Sequence, residues 1–103
     1  MSVVLRMYFN ITPGKYEEAS KLMKQLQDLS KKYGLPEGRV LSGHFVSPGQ
    51  PNWQWESEFA TTAEAIAYLD KFDDMPEMEK IGPATYGVWN QQGVEVYHVV
   101  EFD

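Results

Sequence analysis

His44 and Glu56 are the side chains in this sequence best suited to move a proton, with Tyr8 and Asn10 placed to assist them. Histidine changes charge near neutral pH, and a neighbouring carboxylate fixes its orientation, so the pair suits general acid–base work. Tyr8 and Asn10 supply the hydrogen bonds that would polarise a substrate carbonyl. Arg6, on the same strand face, is a candidate for holding a ligand. All five fall at even-numbered positions of segments that alternate apolar and polar residues, so one face of a sheet should collect them. The plainer and commoner use of such a set is a hydrogen-bonded polar patch lining the contact between two subunits.

A second group of residues suits a flat apolar ligand. Trp53, Trp55 and Phe59 share the odd side of one strand and could line a pocket between the sheet and its helices, or simply fill the core. Tyr68 lies on the following helix and belongs to the same candidate wall. Met75 and Met78 flank a short helix and could form an adaptable side of the pocket, although gap-filling is their usual role. His98 stands in a valine-rich run, where a ligand contact competes with the ordinary reading of a buried, hydrogen-bonded histidine. Trp89, in a loop-like stretch, is read as a lid or as a contact with a second subunit. The spacing of His44, Glu56, Glu58 and His98 matches no metal motif. No metal and no cofactor are expected.

Positioning these groups requires a pattern that occurs twice. VLRMYFN leads through TPGKYEEASKLMKQLQDLSKKYG to RVLSGHFVS, and NWQWESEFA leads through TTAEAIAYLDKF to GVEVYHVVEF. Each pass reads strand, helix, strand. Thr12 and Pro13 suit the start of the first helix and Gly34 its end. Tyr16, Ala19, Leu22, Met23, Leu26, Leu29 and Tyr33 form its apolar stripe. Thr61 and Glu64 make a capping box for the second helix, which presents Ala65, Ile66, Leu69 and Phe72 inward. A short third helix is expected over 76–81, stopping at Gly82-Pro83, with a loop over 84–92. Pro48-Gly49-Gln50-Pro51 is the turn of a central hairpin.

On odd sides, Leu5, Met7, Phe9, Leu41, Phe45, Trp53, Trp55 and Phe59 are apolar, and this is the face expected beneath the helices. The last strand, 93–102, breaks the rule. Its even side is Val94, Val96, His98, Val100 and Phe102, so either its parity is offset or both faces are buried. An apolar strand on a polar face suggests cover by a second subunit.

Two β-α-β units joined by a hairpin give an α+β, ferredoxin-like βαββαβ fold. Residues 1–103 form one domain with a four-stranded antiparallel sheet and both helices on one face. The bare face is commonly covered by a second copy, making a dimeric α/β barrel. Composition excludes other classes. The net charge is −6, distributed as +3 over residues 1–50 and −9 over 51–103, so there is no footprint for nucleic acid or an anionic membrane. There is no cysteine, which removes disulfide and thiolate chemistry. With no leader-like or membrane-spanning run, a cytoplasmic protein is expected.

The runs RMYFNITPGKYEEASKLMKQL, NWQWESEFATTAEAIAYLDKF, DMPEMEKIG and VEVYHVVEF resemble the first strand and helix, third strand and second helix, short helix and last strand of dimeric α/β-barrel proteins. The nearest groups are the NIPSNAP-like and antibiotic-biosynthesis-monooxygenase-like barrels. The resemblance implies a homodimer and a small hydrophobic or aromatic ligand, with cofactor-independent oxygenase, cyclase or isomerase chemistry as its enzymatic form. The heme-degrading members' Asn matches Asn10, but their Trp and His have no counterpart here. The Asn and Trp of the polyketide oxygenases are also absent from 61–82. No reaction is therefore fixed. The alternative is a non-catalytic interaction or regulatory module whose dimer surface is the functional element.

Overall fold

The structure, a computed structural model, describes residues 2–102. Seven elements run β1 (Val3–Ile11), α1 (Tyr16–Lys32), β2 (Arg39–Ser42), β3 (Trp53–Phe59), α2 (Thr62–Asp73), α3 (Met78–Ala84) and β4 (Trp89–His98). The strands form one antiparallel sheet in the order β2-β3-β1-β4. Odd residues of the two central strands are the core. Val3, Leu5, Phe9, Ile11, Trp55 and Phe59 are buried against Ala19, Leu22, Met23 and Leu29 of α1 and Ala65 and Tyr68 of α2. Both long helices therefore lie on one face, as the expected fold class requires. Each aliphatic side chain buried this fully stabilises the fold by about 1.5–3 kcal/mol.

Helix ends follow local chemistry, with one correction. Thr12 does not cap α1: its carbonyl accepts the Lys15 N–H in a turn before the helix, with Gly14 at φ 83°. At the other end Gly34, at φ 69°, turns the chain. The Leu35 N–H reaches back to the Ser30 carbonyl and the Gly34 N–H to that of Lys31. These two bonds satisfy carbonyls the helix leaves free. Thr61 caps α2, its Oγ1 accepting the Glu64 N–H at 3.2 Å, while the Glu64 carboxylate reaches one residue past the cap to accept the Ala60 N–H at 3.1 Å. On α2 the buried residues are Ala65 and Tyr68, whereas Ile66 is exposed. Helix α3 runs through Gly82 and Pro83 to Ala84, past its expected stop. Proline there removes one N–H, and the turn continues through Thr85 and Tyr86 bonded three residues back.

Two strands depart from expectation. Strand β2 ends at Ser42, so His44 and Phe45 belong to an exposed 43–52 connection. Its parity is also reversed: Val40 pairs with Trp55 on the helix side, while Arg39 and Leu41 pair with Glu56 and Gln54 on the other. Asn52 closes the connection, its Oδ1 accepting the Ile11 N–H at 2.9 Å and its Nδ2 donating to Tyr16 Oη at 3.1 Å. Strand β4 begins at Trp89, inside the expected loop, and contains a bulge. Tyr8 pairs with Gly93 and Phe9 with Gln91, so the ladder skips position 92. Trp89 consequently faces the core before the bulge, and Val94 and Val96 face the same side after it. The parity offset is real, and the valines lie on the helix side. They stay 41% and 37% exposed because this edge strand extends past the cover of the helices.

Helix α3 is tied to the end of α1 by Glu77, which accepts hydrogen bonds from Lys32 Nζ and Tyr33 Oη, each at 2.7 Å. The lysine and tyrosine bonds hold the Glu77 carboxyl at about 2, below its ordinary 4.5. The folded protein thus binds this proton less readily than the unfolded chain. The tie stabilises above about pH 4.5 and is lost as pH falls toward 2. Glu77→Gln should melt below the wild type at pH 6. The gap should close as acid protonates the wild-type carboxylate, and a pH series of thermal melts would check this.

Candidate functional site

The sheet separates two candidate sites. On the open face, even residues of β1 and β3 meet odd residues of β2 and, beyond the bulge, of β4. The chain's two arginines converge on one carboxylate. Arg6 Nε lies 3.0 Å from Glu56 Oε2, and Arg39 Nη2 lies 2.7 Å from Glu56 Oε1. Burial would raise the Glu56 carboxyl, but the hydrogen bonds and charges of Arg39 and Arg6 outweigh it and hold it below its usual range. Beside this, Tyr8 Oη donates to Glu95 Oε2 at 3.1 Å, Tyr97 Oη also bonds Glu95, and the Arg6 guanidinium stands 5.3 Å above the Tyr97 ring. Hydrogen bonding to Glu95 and Tyr8 keeps the Tyr97 phenol protonated well above its usual range. The face is a polar network in which the Glu56 carboxylate is ionised and engaged by two guanidiniums.

Only part of the expected proton-transfer set is brought together here. Arg6, Tyr8 and Glu56 share the face, and Asn10 lies on it opposite Asn90. His44 is elsewhere. Glu56 pairs with Arg39, and His44 lies two residues beyond Ser42, which is itself about 10 Å further along the strand. Its ring packs edge-on against Phe45, 4.7 Å away in the exposed connection. The expected His44–Glu56 pair does not form. His98 is exposed at the end of β4, which corrects the expectation of a buried histidine. Sequence reasoning missed Arg39. The signal was present: Glu56 and Glu58 on one strand face need cations, and the chain has two arginines.

The second site lies on the opposite side of the sheet, between it and the helices. A cavity of about 310 Å³, open on one side, is floored by Met7, Phe9, Trp55 and Trp89 of the sheet. Leu26 of α1, Leu69 and Phe72 of α2, and Met78 and Ile81 of α3 complete its walls. Phe9 and Trp89 meet edge to face, centroids 5.4 Å apart, which fixes the angle of the floor. The polar rim is Asp73, Thr85 and Gln91. A shallower groove continues from the mouth past Asp74, Met75 and Glu79. Behind Trp55, whose Nε1 donates to Ser57 Oγ at 3.1 Å, lies a buried polar cluster with Ser30 and the Tyr68 hydroxyl. Burial raises the Tyr68 phenol, and the Ser30, Ser57 and Trp55 groups around it only partly offset this.

No protein-family model matches the chain, and no curated protein does. Solved structures match in fold. A dimeric protein of unknown function and ferredoxin-like fold from Bacteroides fragilis superposes with a TM-score of 0.59 at 18% identity, over 95% of this chain and 96% of that one. The fold is ferredoxin-like. An uncharacterised NIPSNAP-like domain protein from Burkholderia xenovorans gives 0.66 at 13% identity, over 99% and 87%. A candidate antibiotic biosynthesis monooxygenase from Chloroflexus aurantiacus gives 0.57 at 13%, over 100% and 97%. The resemblance read from the sequence is thus matched by solved structures of the same kinds.

Within the ferredoxin-like frame, the apolar candidates divide. Trp55 lines the cavity. Trp53 packs on Tyr16 at 6.0 Å, and Phe59 on Tyr68 at 5.0 Å in a separate core cluster. Tyr68 stands behind the cavity wall. Trp89, expected as a lid or a contact with a second subunit, is part of the floor. Among the described residues, no group of three or more His, Cys, Asp or Glu side chains is placed to hold a metal, and no helix is long and apolar enough to cross a membrane.

Proposed function

We propose that this protein is a homodimer that binds a small hydrophobic or aromatic molecule in the cavity between sheet and helices. The observation that carries the ligand reading is the cavity itself. About 310 Å³ floored by Phe9, Trp55 and Trp89 matches the small end of sites for drug-sized ligands, with apolar walls and a few polar groups at the rim. Met7 and Met78 line the cavity with Trp55, Met75 lines the adjoining groove, and Tyr68 stands behind the wall. A cofactor-independent reaction in this space would have Asp73 as its acid–base group, because the Glu56 network lies across the sheet. The dimer reading is supported by the uncovered network of Arg6, Glu56, Arg39, Tyr8 and Glu95, and by the dimeric state of the Bacteroides fragilis protein of like fold.

Gly82 offers a direct test of the ligand site. It lines the cavity, and a Cβ built on it meets nothing within 4 Å. Gly82→Leu should therefore carry a side chain into the mouth. Gly82 precedes Pro83 within α3, where a Cβ crowds the proline ring, so the variant is compared at a temperature at which a melt shows it folded. Binding of a neutral apolar dye such as N-phenyl-1-naphthylamine should fall at least tenfold in the folded variant. Unchanged dye affinity would remove the cavity as the site. Light scattering at micromolar concentration should return twice the chain mass, from an interface burying more than about 1,000 Å² in total. A monomer mass would end the dimer reading.

A further inference from the structure

We infer that the cavity selects its ligand by charge, accepting flat apolar molecules that are neutral or carry a cationic or hydrogen-bond-donating group, and rejecting anions. This rests on the sheet–helix cavity being the binding site. Asp73 is the one charged side chain on its lining among the described residues. The groove that continues from its mouth adds Asp74 and Glu79, and no Lys, Arg or His lines either space. Asp73 is also the last residue of α2, where the free carbonyls of the helix end add negative partial charge. Two lysines of the flanking helices are turned to other tasks. Lys32 is bonded to Glu77, and Lys71 stands 5.6 Å over the Tyr33 ring.

A carboxylate or sulfonate entering this space would lose water, find no cation on the lining and meet the negative charge of Asp73 at the exposed rim. An ammonium or N–H donor at the same place gains a charge-assisted hydrogen bond to Asp73. The rings of Phe9, Phe72 and Trp89 also favour a cation over their faces. Apolar walls supply affinity, and the acidic rim supplies discrimination.

The test uses three naphthalene dyes of similar size: neutral N-phenyl-1-naphthylamine, anionic 1-anilinonaphthalene-8-sulfonate and the cation of N-(1-naphthyl)ethylenediamine. Each is titrated against the full chain at pH 7 and followed by dye fluorescence and tryptophan quenching. The neutral and cationic dyes should bind at least tenfold more tightly than the sulfonate. Asp73→Asn should tighten the sulfonate and weaken the amine, each at least fivefold. Glu101→Gln, which removes the same charge from an exposed position outside the cavity, should leave the ratios as they are. The inference is overturned if the sulfonate binds the wild type as tightly as the neutral dye, or if Asp73→Asn and Glu101→Gln act alike. Failure of the site itself reads differently. Binding of all three dyes unaffected by Gly82→Leu, or no binding by any of them, removes the cavity reading and the charge selection with it.

Discussion

Trp55→Ala should lower stability by about 3–5 kcal/mol, the range for removing a large buried aromatic ring. Trp55 is 1% exposed and sits at the centre of the sheet, under α1, with its indole N–H bonded to Ser57. Its loss removes packing from the larger core cluster and takes away the floor of the cavity. It also strips the Ser57 hydroxyl of its donor. For a chain of this size the melting temperature should fall by about 4–8 °C for each kcal/mol lost. Total stabilities of such domains are only about 5–15 kcal/mol. A chemical denaturation series at fixed protein concentration measures the change, and a midpoint near that of the wild type would contradict the packing described.

Gly38→Ala should be nearly as damaging, although it adds one methyl group. A Cβ at Gly38 would lie 1.9 Å from Trp55 Nε1 and 2.1 Å from Cε2. Contact that close forces the indole or the backbone to move. The indole is held by its bond to Ser57, and the Gly38 carbonyl by Gln27 Nε2 at 2.9 Å. Overpacking of this kind costs about 1–3 kcal/mol, and more where neither partner yields. Gly38 is not among the glycines with positive φ, so the cost comes from contact and not from backbone strain. Gly93→Ala is the control, since its Cβ meets open space and its φ is not positive. Equal midpoints for the two alanine variants would show that the Trp55 edge is looser than described.

The element order was legible because periodicity survives in the long segments. Leu5, Phe9, Trp55 and Phe59 alternate cleanly, and α1 shows its stripe at helical spacing. Short or irregular segments were not legible. In β2, Gly38 and Gly43 leave only four paired residues, too few for alternation to show that Val40, and not Leu41, faces the helices. In β4 the bulge cancels the alternation, so Trp89 read as loop. The candidate site followed the same division. Trp55 and Met78 were found because they belong to regular elements. His44 was misplaced because β2 stops before it. Asp73, Thr85 and Gln91 share no sequence pattern: three separate segments bring them to one rim, and only the tertiary fold does so.

The bulge at position 92 makes β4 two half-strands in opposite phase, joined by a single residue. The half that carries Trp89 completes the cavity floor, and the half that carries Glu95 and Tyr97 completes the open-face network. Across the bulge the ladder advances by one partner, from Phe9 to Tyr8, while the chain advances by two. Deleting the spare residue would leave Gly93 opposite Tyr8 and every later side chain on its present face. Were position 92 drawn into the ladder instead, the slip of one residue would turn Glu95 and Tyr97 toward the helices and Val94 and Val96 onto the charged face. The bulge, more than the residue count, keeps the protein's oily side and its ionic side from trading places.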